Sequence, residues 1–197
     1  VTGAGSGIGK GCAEMFRAEG ATVIGVDLQG ADIACNLTDE VATNALFAKI
    51  GAEHGRIDVL VNAAAKAHFA WIEQMTYAQW QDTLRGEIDI VFLATRAAWP
   101  WLKASGSASI INFASANAAH ALKGSAALAH CAGKGGVLAM TRQLAMEGAP
   151  HHIRANTISP GFVLTEATRA HMAAEPALEA KVLAKNMLKR LGEPEDI

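Results

Sequence analysis

A glycine-rich segment near the start of the chain has residue types and spacing suited to binding a phosphate group. Gly3, Gly7 and Gly9 form a TGxxxGxG pattern directly before an amphipathic stretch. Small residues let the backbone approach a pyrophosphate, and a helix N-terminus supplies N–H donors and the positive end of a dipole. The alternative is a tight strand-to-helix turn without a ligand. The density of glycine favours a nucleotide site.

An acidic residue follows at the distance expected for a ribose contact. Asp27 lies 18 residues beyond Gly9, directly after the second strand, where a carboxylate accepts hydrogen bonds from the adenosine ribose hydroxyls. A turn residue without a ligand is the alternative interpretation. A carboxylate repels a 2′-phosphate, and Ser6 offers no cation to attract one. Asp27 and Ser6 together therefore favour NAD over NADP.

The elements that must position these residues alternate along the chain. Apolar strand-like runs are continuous rather than alternating, which is typical of parallel strands buried on both faces. Helical stretches with apolar residues three and four apart separate them. This alternation predicts an α/β fold, a doubly wound parallel sheet of the Rossmann type in a single domain over residues 1–197. Strands are expected at 23–26, 58–61, 109–113 and, more weakly, 153–158, and helices at about 8–19, 39–53, 77–103 and 126–148.

Composition excludes several classes of function. The chain has 197 residues, 51% of them hydrophobic, and a net charge of −2, which leaves no basic footprint for nucleic acid. No apolar run reaches the ~18 residues of a membrane span, and no signal peptide is visible. Cys12, Cys35 and Cys131 form no CxxC pair, which favours thiols of a reducing, cytoplasmic compartment. His151 and His152 lack further ligands at metal spacing, so no metal is expected.

The chain resembles the short-chain dehydrogenase/reductase family over nearly its whole length. The resemblance implies an NAD-dependent oxidoreductase that transfers a hydride between nicotinamide and a secondary alcohol or ketone. It also implies a homo-oligomer that assembles through the helices near 77–103 and 126–148. Family members extend beyond both ends, so the chain is expected to be trimmed. The residues that carry the resemblance are the TGxxxGxG loop, Asp27, the segments 62–65 and 134–137, and 153–156 continuing into Ser159-Pro160-Gly161.

The resemblance also implies a set of cofactor-binding residues. The loop would hold the pyrophosphate and Asp27 the adenosine ribose, while two positions flank the adenine and two lie near the nicotinamide ribose. Lys134 would contact that ribose, and a turn after the last strand would hold the carboxamide. In chain order these residues are Gly3, Ser6, Gly7, Ile8, Gly9, Asp27, Asn36, Leu37, Asn62, Ala63, Lys134, Pro160, Gly161, Val163 and Thr165.

The catalytic positions depart from the family pattern of Asn, Ser, Tyr and Lys. The family's YxxxK becomes His130 and Lys134, still four residues apart and therefore on one helix face. The only tyrosine, Tyr77, lies far along the chain from Lys134. Glu87 stands where the asparagine is expected. The serine corresponds to Ser115, 15 residues before His130, although Asn117 has the family's usual spacing.

Three interpretations of His130 compete. In the first, it replaces tyrosine as the general acid/base, because an imidazole titrates near ~6.5 and needs little adjustment to act at neutral pH. Lys134 would disfavour the charged imidazole, whereas Glu87 would favour it. In the second, turnover is lost, by a natural or an engineered change, and the protein binds a nucleotide as a sensor or assembly partner. In the third, His130 is structural.

Overall fold

A parallel sheet occupies the centre of the computed structural model, which describes residues 1–174 and 176–197. Two ladders, β1–β2 and β3–β4–β5, are connected by Thr2, which forms parallel bridges to both Val26 and Asn62. The order across the sheet is therefore β2, β1, Thr2, β3, β4, β5, with the direction of winding reversing at Thr2. The strands are β1 (Val26–Asp27), β2 (Ile33–Ala34), β3 (Val59–Asn62), β4 (Ala108–Phe113) and β5 (Ile153–Ile158).

Helices connect the strands, as the alternating pattern predicts. Local capping residues define several of their ends: Thr76 and Gln79 form a capping box, Asp39 accepts from the Ala42 amide, and Gly55 ends a helix in the left-handed conformation. The helices are α1 (Gly7–Ala18), α2 (Glu40–His54), α3 (Tyr77–Leu84), α4 (Ile90–Ser105), α5 (Leu128–Gly148), α6 (Glu166–Ala174) and α7 (Leu178–Lys185). Within the described residues, no helix combines the length and apolar character needed to cross a membrane.

The strand expected at 23–26 is largely wrong, because only Val26 of that run lies in a strand. The Gly25 amide donates to the Asp32 carboxylate at 2.6 Å instead of to a neighbouring strand. Ladder pairing to β2 begins one residue later, where Val26 lies opposite Ile33. A side-chain acceptor has therefore taken the donor that a longer strand would use.

The single long helix expected at 77–103 is interrupted. Residues 85–89 form a π turn between α3 and α4, in which the Ile90 amide donates to the Arg85 carbonyl five residues back. The Gly86 carbonyl accepts from the Lys66 amide at 3.1 Å, which attaches the loop after β3 to this turn. π turns inside helices occur frequently at functional sites. Glu87 lies at the centre of this one.

A buried polar chain crosses the sheet beneath its carboxyl edge. The Asn62 amide donates to the Thr95 hydroxyl at 3.1 Å and to Asn112 Oδ1 at 2.9 Å, and the Asn112 amide donates to the Thr141 hydroxyl at 2.9 Å. These bonds join α4, two strands and α5. Hydrogen-bonded polar groups in a core fix the register of the elements that carry them.

Truncating the apolar core should destabilise the protein strongly. Leu102 is fully buried between α4 and the sheet, so Leu102→Ala should lower the free energy of unfolding by about 2–5 kcal/mol. Chemical denaturation monitored by circular dichroism measures the change. The matched control is Leu188→Ala at a mostly exposed leucine, expected to change stability by less than about 0.5 kcal/mol. Equal effects of the two variants would contradict this core assignment.

Candidate functional site

The glycine-rich segment forms the turn that enters α1. Gly3 and Gly7 have φ angles of +68° and +51°, which L side chains rarely adopt. A Cβ at Gly3 would lie 2.8 Å from the Ala64 Cα, and one at Gly9 would overlap the Gly3 carbonyl. The turn is therefore built of backbone packed against backbone. Gly5, which the motif does not include, is equally constrained because its Cβ would overlap the Gln29 carbonyl.

The N-terminus of α1 is open to a ligand. Ser6 is the N-cap residue, with an extended backbone, and its side chain makes no capping hydrogen bond. The first amides of an α-helix have no partner within the helix, so an anion can bind them. A cradle of glycines that leads into an uncapped helix fits the pyrophosphate of a dinucleotide.

Asp27 ends β1 and faces this turn. Its Oδ2 accepts from the Gly5 amide at 3.0 Å, and its Oδ1 accepts from the Leu28 amide at 2.7 Å. Each oxygen of an ionised carboxylate has two acceptor positions, so these bonds leave room for ribose hydroxyls. Asp27 is thus a turn residue, and the same geometry allows it to accept from a ligand.

Asn36 and Leu37, the two residues expected beside the adenine, differ in their exposure to solvent. Asn36 is exposed, and its Oδ1 accepts from the Thr38 amide at 3.1 Å and from the Thr38 hydroxyl at 2.8 Å. Leu37 is buried in the main core, packed with residues such as Phe47. The Leu37 side chain is therefore anchored in the core, and a contact of this residue with the adenine, which stays a prediction, would be made by its backbone.

Asn62 and Ala63, the residues expected near the nicotinamide ribose, are fixed by hydrogen bonds to buried side chains. The Asn62 side chain belongs to the buried polar chain, and its Oδ1 is buried without a hydrogen-bond partner among the described residues. The amides of Ala63 and Ala64 both donate to Thr2 Oγ1, at 3.1 Å each. Sequence reasoning missed this role of Thr2, which only its position between two strands reveals.

The turn after β5 reaches the glycine-rich segment. The Pro160 carbonyl accepts from the Ala116 amide at 3.0 Å, and a Cβ at Gly161 would have no neighbouring atom within 4 Å. Val163 is buried and forms a bridge to Gly192. Beyond it, Thr165 Cγ2 would lie 2.9 Å from a Cβ at Gly7.

A buried acid–base pair lies where α5 meets the π turn. His130 Nδ1 and Glu87 Oε1 are 2.6 Å apart, with 17% of the histidine side chain and 1% of the glutamate side chain exposed. Glu87 Oε2 is buried with no hydrogen-bond partner among the described residues. From the sequence we expect Glu87 to favour the charged form of His130, and the structure brings the two side chains into direct contact.

Lys134 lies one helical turn further along α5 and is also buried. Its Nζ donates to the Phe113 carbonyl at 3.0 Å, which attaches α5 to the end of β4. Burial lowers the pKa of Lys134 below its ordinary value, and the nearby Glu87 carboxylate opposes that shift. Among the described residues no cluster of three His, Cys, Asp or Glu side chains is suited to hold a metal.

Ser115 follows the end of β4, two residues after Phe113, at the start of a short 3-10 turn. Its Oγ accepts from the Asn117 amide at 3.1 Å. In the parts of the chain that are described, no hydrogen bond joins Ser115 to His130. The ring of Phe69, in the loop after β3, lies 5.5 Å from the His130 ring and is tilted by 43°. Tyr77, by contrast, is mostly exposed at the start of α3.

Comparison with known proteins shows which family this chain resembles. A family model described as enoyl-(acyl carrier protein) reductase matches residues 3–197. The chain is 36% identical over 183 residues to D-threitol dehydrogenase of Mycolicibacterium smegmatis, an alignment that covers 84% of this chain and 70% of the relative. A Burkholderia xenovorans structure assigned to the short-chain dehydrogenase/reductases superimposes with a TM-score of 0.93 at 28% identity, covering 100% of this chain and 84% of that one. The chain belongs to the short-chain dehydrogenase/reductase family.

A further solved structure similar to this chain contains a bound cofactor. It is assigned as an NAD(P)-dependent gluconate 5-dehydrogenase of Beutenbergia cavernae and has NADP bound at low occupancy. The TM-score is 0.90 at 29% identity, over 100% of this chain and 84% of that one. The family is one of nicotinamide-dependent oxidoreductases, and the doubly wound fold predicted from the sequence is confirmed.

The burial of Lys134 should appear in the pH dependence of stability. Because its pKa in the folded protein lies below the ordinary value of 10.5, the unfolded chain binds more protons between these two values. The free energy of unfolding should therefore rise with pH in that interval, relative to the variant Lys134→Met. Urea unfolding of both proteins, in steps from neutral pH to about 10, measures the difference. A difference that stays constant with pH would contradict the lowered pKa.

Proposed function

We propose that this chain is an NAD-dependent oxidoreductase that transfers a hydride between nicotinamide and a secondary alcohol or its ketone, with His130 moving the proton. The observation that carries the proposal is the 2.6 Å contact between His130 Nδ1 and Glu87 Oε1. A histidine whose second nitrogen is held by a buried carboxylate has the arrangement that general acid/base catalysis requires.

In the proposed mechanism the Glu87 carboxylate accepts the hydrogen bond, and His130 Nδ1 is assigned as its donor. The neutral ring then has its lone pair on Nε2, which takes the hydroxyl proton as an alcohol is oxidised and returns it as a ketone is reduced. The imidazolium formed in the first case is stabilised by the Glu87 carboxylate.

Lys134 and Ser115 complete the proposed catalytic group. The ammonium of Lys134 would hold the nicotinamide ribose and tune the charge of the site from its buried position on α5. The Ser115 hydroxyl would orient the substrate oxygen from the end of β4. Phe69, whose ring is tilted against that of His130 and is partly exposed, supports an apolar wall beside the reacting carbon.

The glycine turn and its neighbours would hold the cofactor. Bound NAD supplies the ring carbon that accepts or donates the hydride. The uncapped start of α1 would bind the pyrophosphate, and Asp27 would accept from the adenosine ribose hydroxyls. The carboxylate of Asp27 supports NAD over NADP because it repels a 2′-phosphate. The exposed position of Asn36 and the turn at Pro160 are compatible with the remaining contacts.

We propose a class of substrate and a type of assembly for this chain. D-threitol, the substrate in the name of one relative, is a small alcohol, which supports a small-molecule alcohol or ketone for this chain. A homo-oligomer assembled through α4 and α5 is supported by exposed apolar side chains on both helices, Phe92 and Met146 among them. One domain over residues 1–197 and a cytoplasmic location complete the proposal.

Removing the imidazole should abolish most of the turnover. His130→Ala should lower kcat about 10²- to 10⁴-fold, the usual contribution of a general acid/base, while leaving nucleotide affinity nearly unchanged. The measurement is NAD(H) turnover on a panel of secondary alcohols and ketones, with cofactor affinity followed by fluorescence. His54→Ala, at the end of α2, is the matched control and should retain full activity.

Two outcomes would decide against this role of His130. Undiminished turnover in His130→Ala would exclude proton transfer by the imidazole. Activity that appears only in His130→Tyr would support the alternative of a nucleotide-binding protein without turnover.

Neutralising Asp27 should change the cofactor preference. Asp27→Asn retains one of the two oxygen acceptors that the turn uses and removes the charge that repels a 2′-phosphate. The ratio of kcat/KM for NAD to that for NADP should fall about tenfold or more, corresponding to ~1.4 kcal/mol. Asp32→Asn, at a carboxylate paired with Arg17, is the control. An unchanged ratio in Asp27→Asn would show that this carboxylate does not select the cofactor.

A further inference from the structure

Three glycines on α5 differ in what lies beside them. A Cβ at Gly133 would overlap Glu87 Oε2 and lie 3.0 Å from the Glu87 Cβ. A Cβ at Gly136 would lie 2.8 Å from Ile88 Cδ1, whereas Gly135 has nothing within 4 Å. Gly133 and Gly136 thus form a notch on the face of α5 that meets the π turn, and Gly135 lies outside it.

The part of the notch at Gly133 is filled by the carboxylate of Glu87. Glycine inside a helix is unfavourable relative to alanine, so its presence here needs a local reason. The neighbouring atoms supply that reason, since the Glu87 Cδ is only 3.2 Å from the position that a Cβ would take. The carboxylate lies along the helix with one oxygen towards Gly133 and the other hydrogen-bonded to His130.

Glu87 has little freedom to move elsewhere. It is buried at the centre of the π turn, and the adjacent Gly86 carbonyl is held by the Lys66 amide. Its Oε2 makes no hydrogen bond within the described residues, which is unfavourable for a buried carboxylate. Close packing against α5 restricts the position of this oxygen.

We propose that Gly133 is a positioning residue for His130: its missing side chain is the space that lets Glu87 reach the imidazole. The proposal deepens the proposed function and rests on it for its catalytic consequence. A methyl group at position 133 forces the carboxylate away from α5. His130 Nδ1 then loses its acceptor, and the neutral imidazole is no longer held with its lone pair on Nε2.

The test is the imidazole tautomer, read by ¹⁵N NMR of the full chain without cofactor. In the unmodified protein the Nδ1 resonance of His130 should have the shift of a protonated ring nitrogen. In Gly133→Ala this signature should move towards that of an acceptor nitrogen, and kcat should fall at least about tenfold with little change in nucleotide affinity. Gly135→Ala, on the same helix in open space, should change neither, and Gly136→Ala should leave the His130 signature intact.

Several outcomes separate this proposal from the proposed function. If Gly133→Ala retains the Nδ1–H signature, the positioning role is overturned. If the signature is lost but turnover is unchanged, Gly133 does position His130, and the catalytic role of His130 fails instead.

A thermal measurement keeps the test valid even if Gly133→Ala folds poorly. The loss of Tm caused by Gly133→Ala should be at least halved in a Glu87→Ala background, where most of the colliding atoms are gone. An equal loss in both backgrounds would mean that Glu87 is not what fills the notch, and the proposal would be overturned.

Discussion

The contact between the Glu87 carboxylate and His130 is the constraint on which the rest of the site depends. A carboxylate that is 99% buried is expensive to desolvate, and here one of its oxygens has no hydrogen bond among the described residues. Such a group persists only when the surrounding elements leave it one position. The π turn brings the side chain to α5, and the notch at Gly133 accepts it. The π turn, the notch at Gly133 and the hydrogen bond to His130 therefore together fix the position of the Glu87 side chain.

The same elements connect this pair to the nucleotide turn. Lys134, one helical turn from His130, donates to the end of β4, while Thr2 bridges two strands and holds the loop after β3 through its hydroxyl. Both contacts lie at the carboxyl edge of the sheet, beside the point where the direction of winding reverses. Ligands of open α/β sheets bind at such a point. The fold thus brings the glycine-rich turn and the Glu87–His130 pair to one edge of the sheet.

Several parts of this architecture could be predicted from the sequence, because they follow from local pattern. Apolar runs and helical spacing correctly indicated the parallel sheet and most helices, and the glycine spacing correctly located the turn into α1. The errors fall where a tertiary contact overrides the pattern. Gly25 gives its amide to the Asp32 side chain, so the expected strand is shortened. The π turn at residues 85–89 likewise interrupts the single helix expected at 77–103.

The sequence by itself determined the family and located the glycine-rich turn and the spacing of His130 and Lys134, since these depend on residue identity and spacing along the chain. Only the tertiary structure decided what His130 touches. Glu87 and His130 are 43 residues apart, and their contact requires a π turn and a side-chain-free position at Gly133. Neither feature has a signature in hydrophobic periodicity, because both arise from the close approach of two helices.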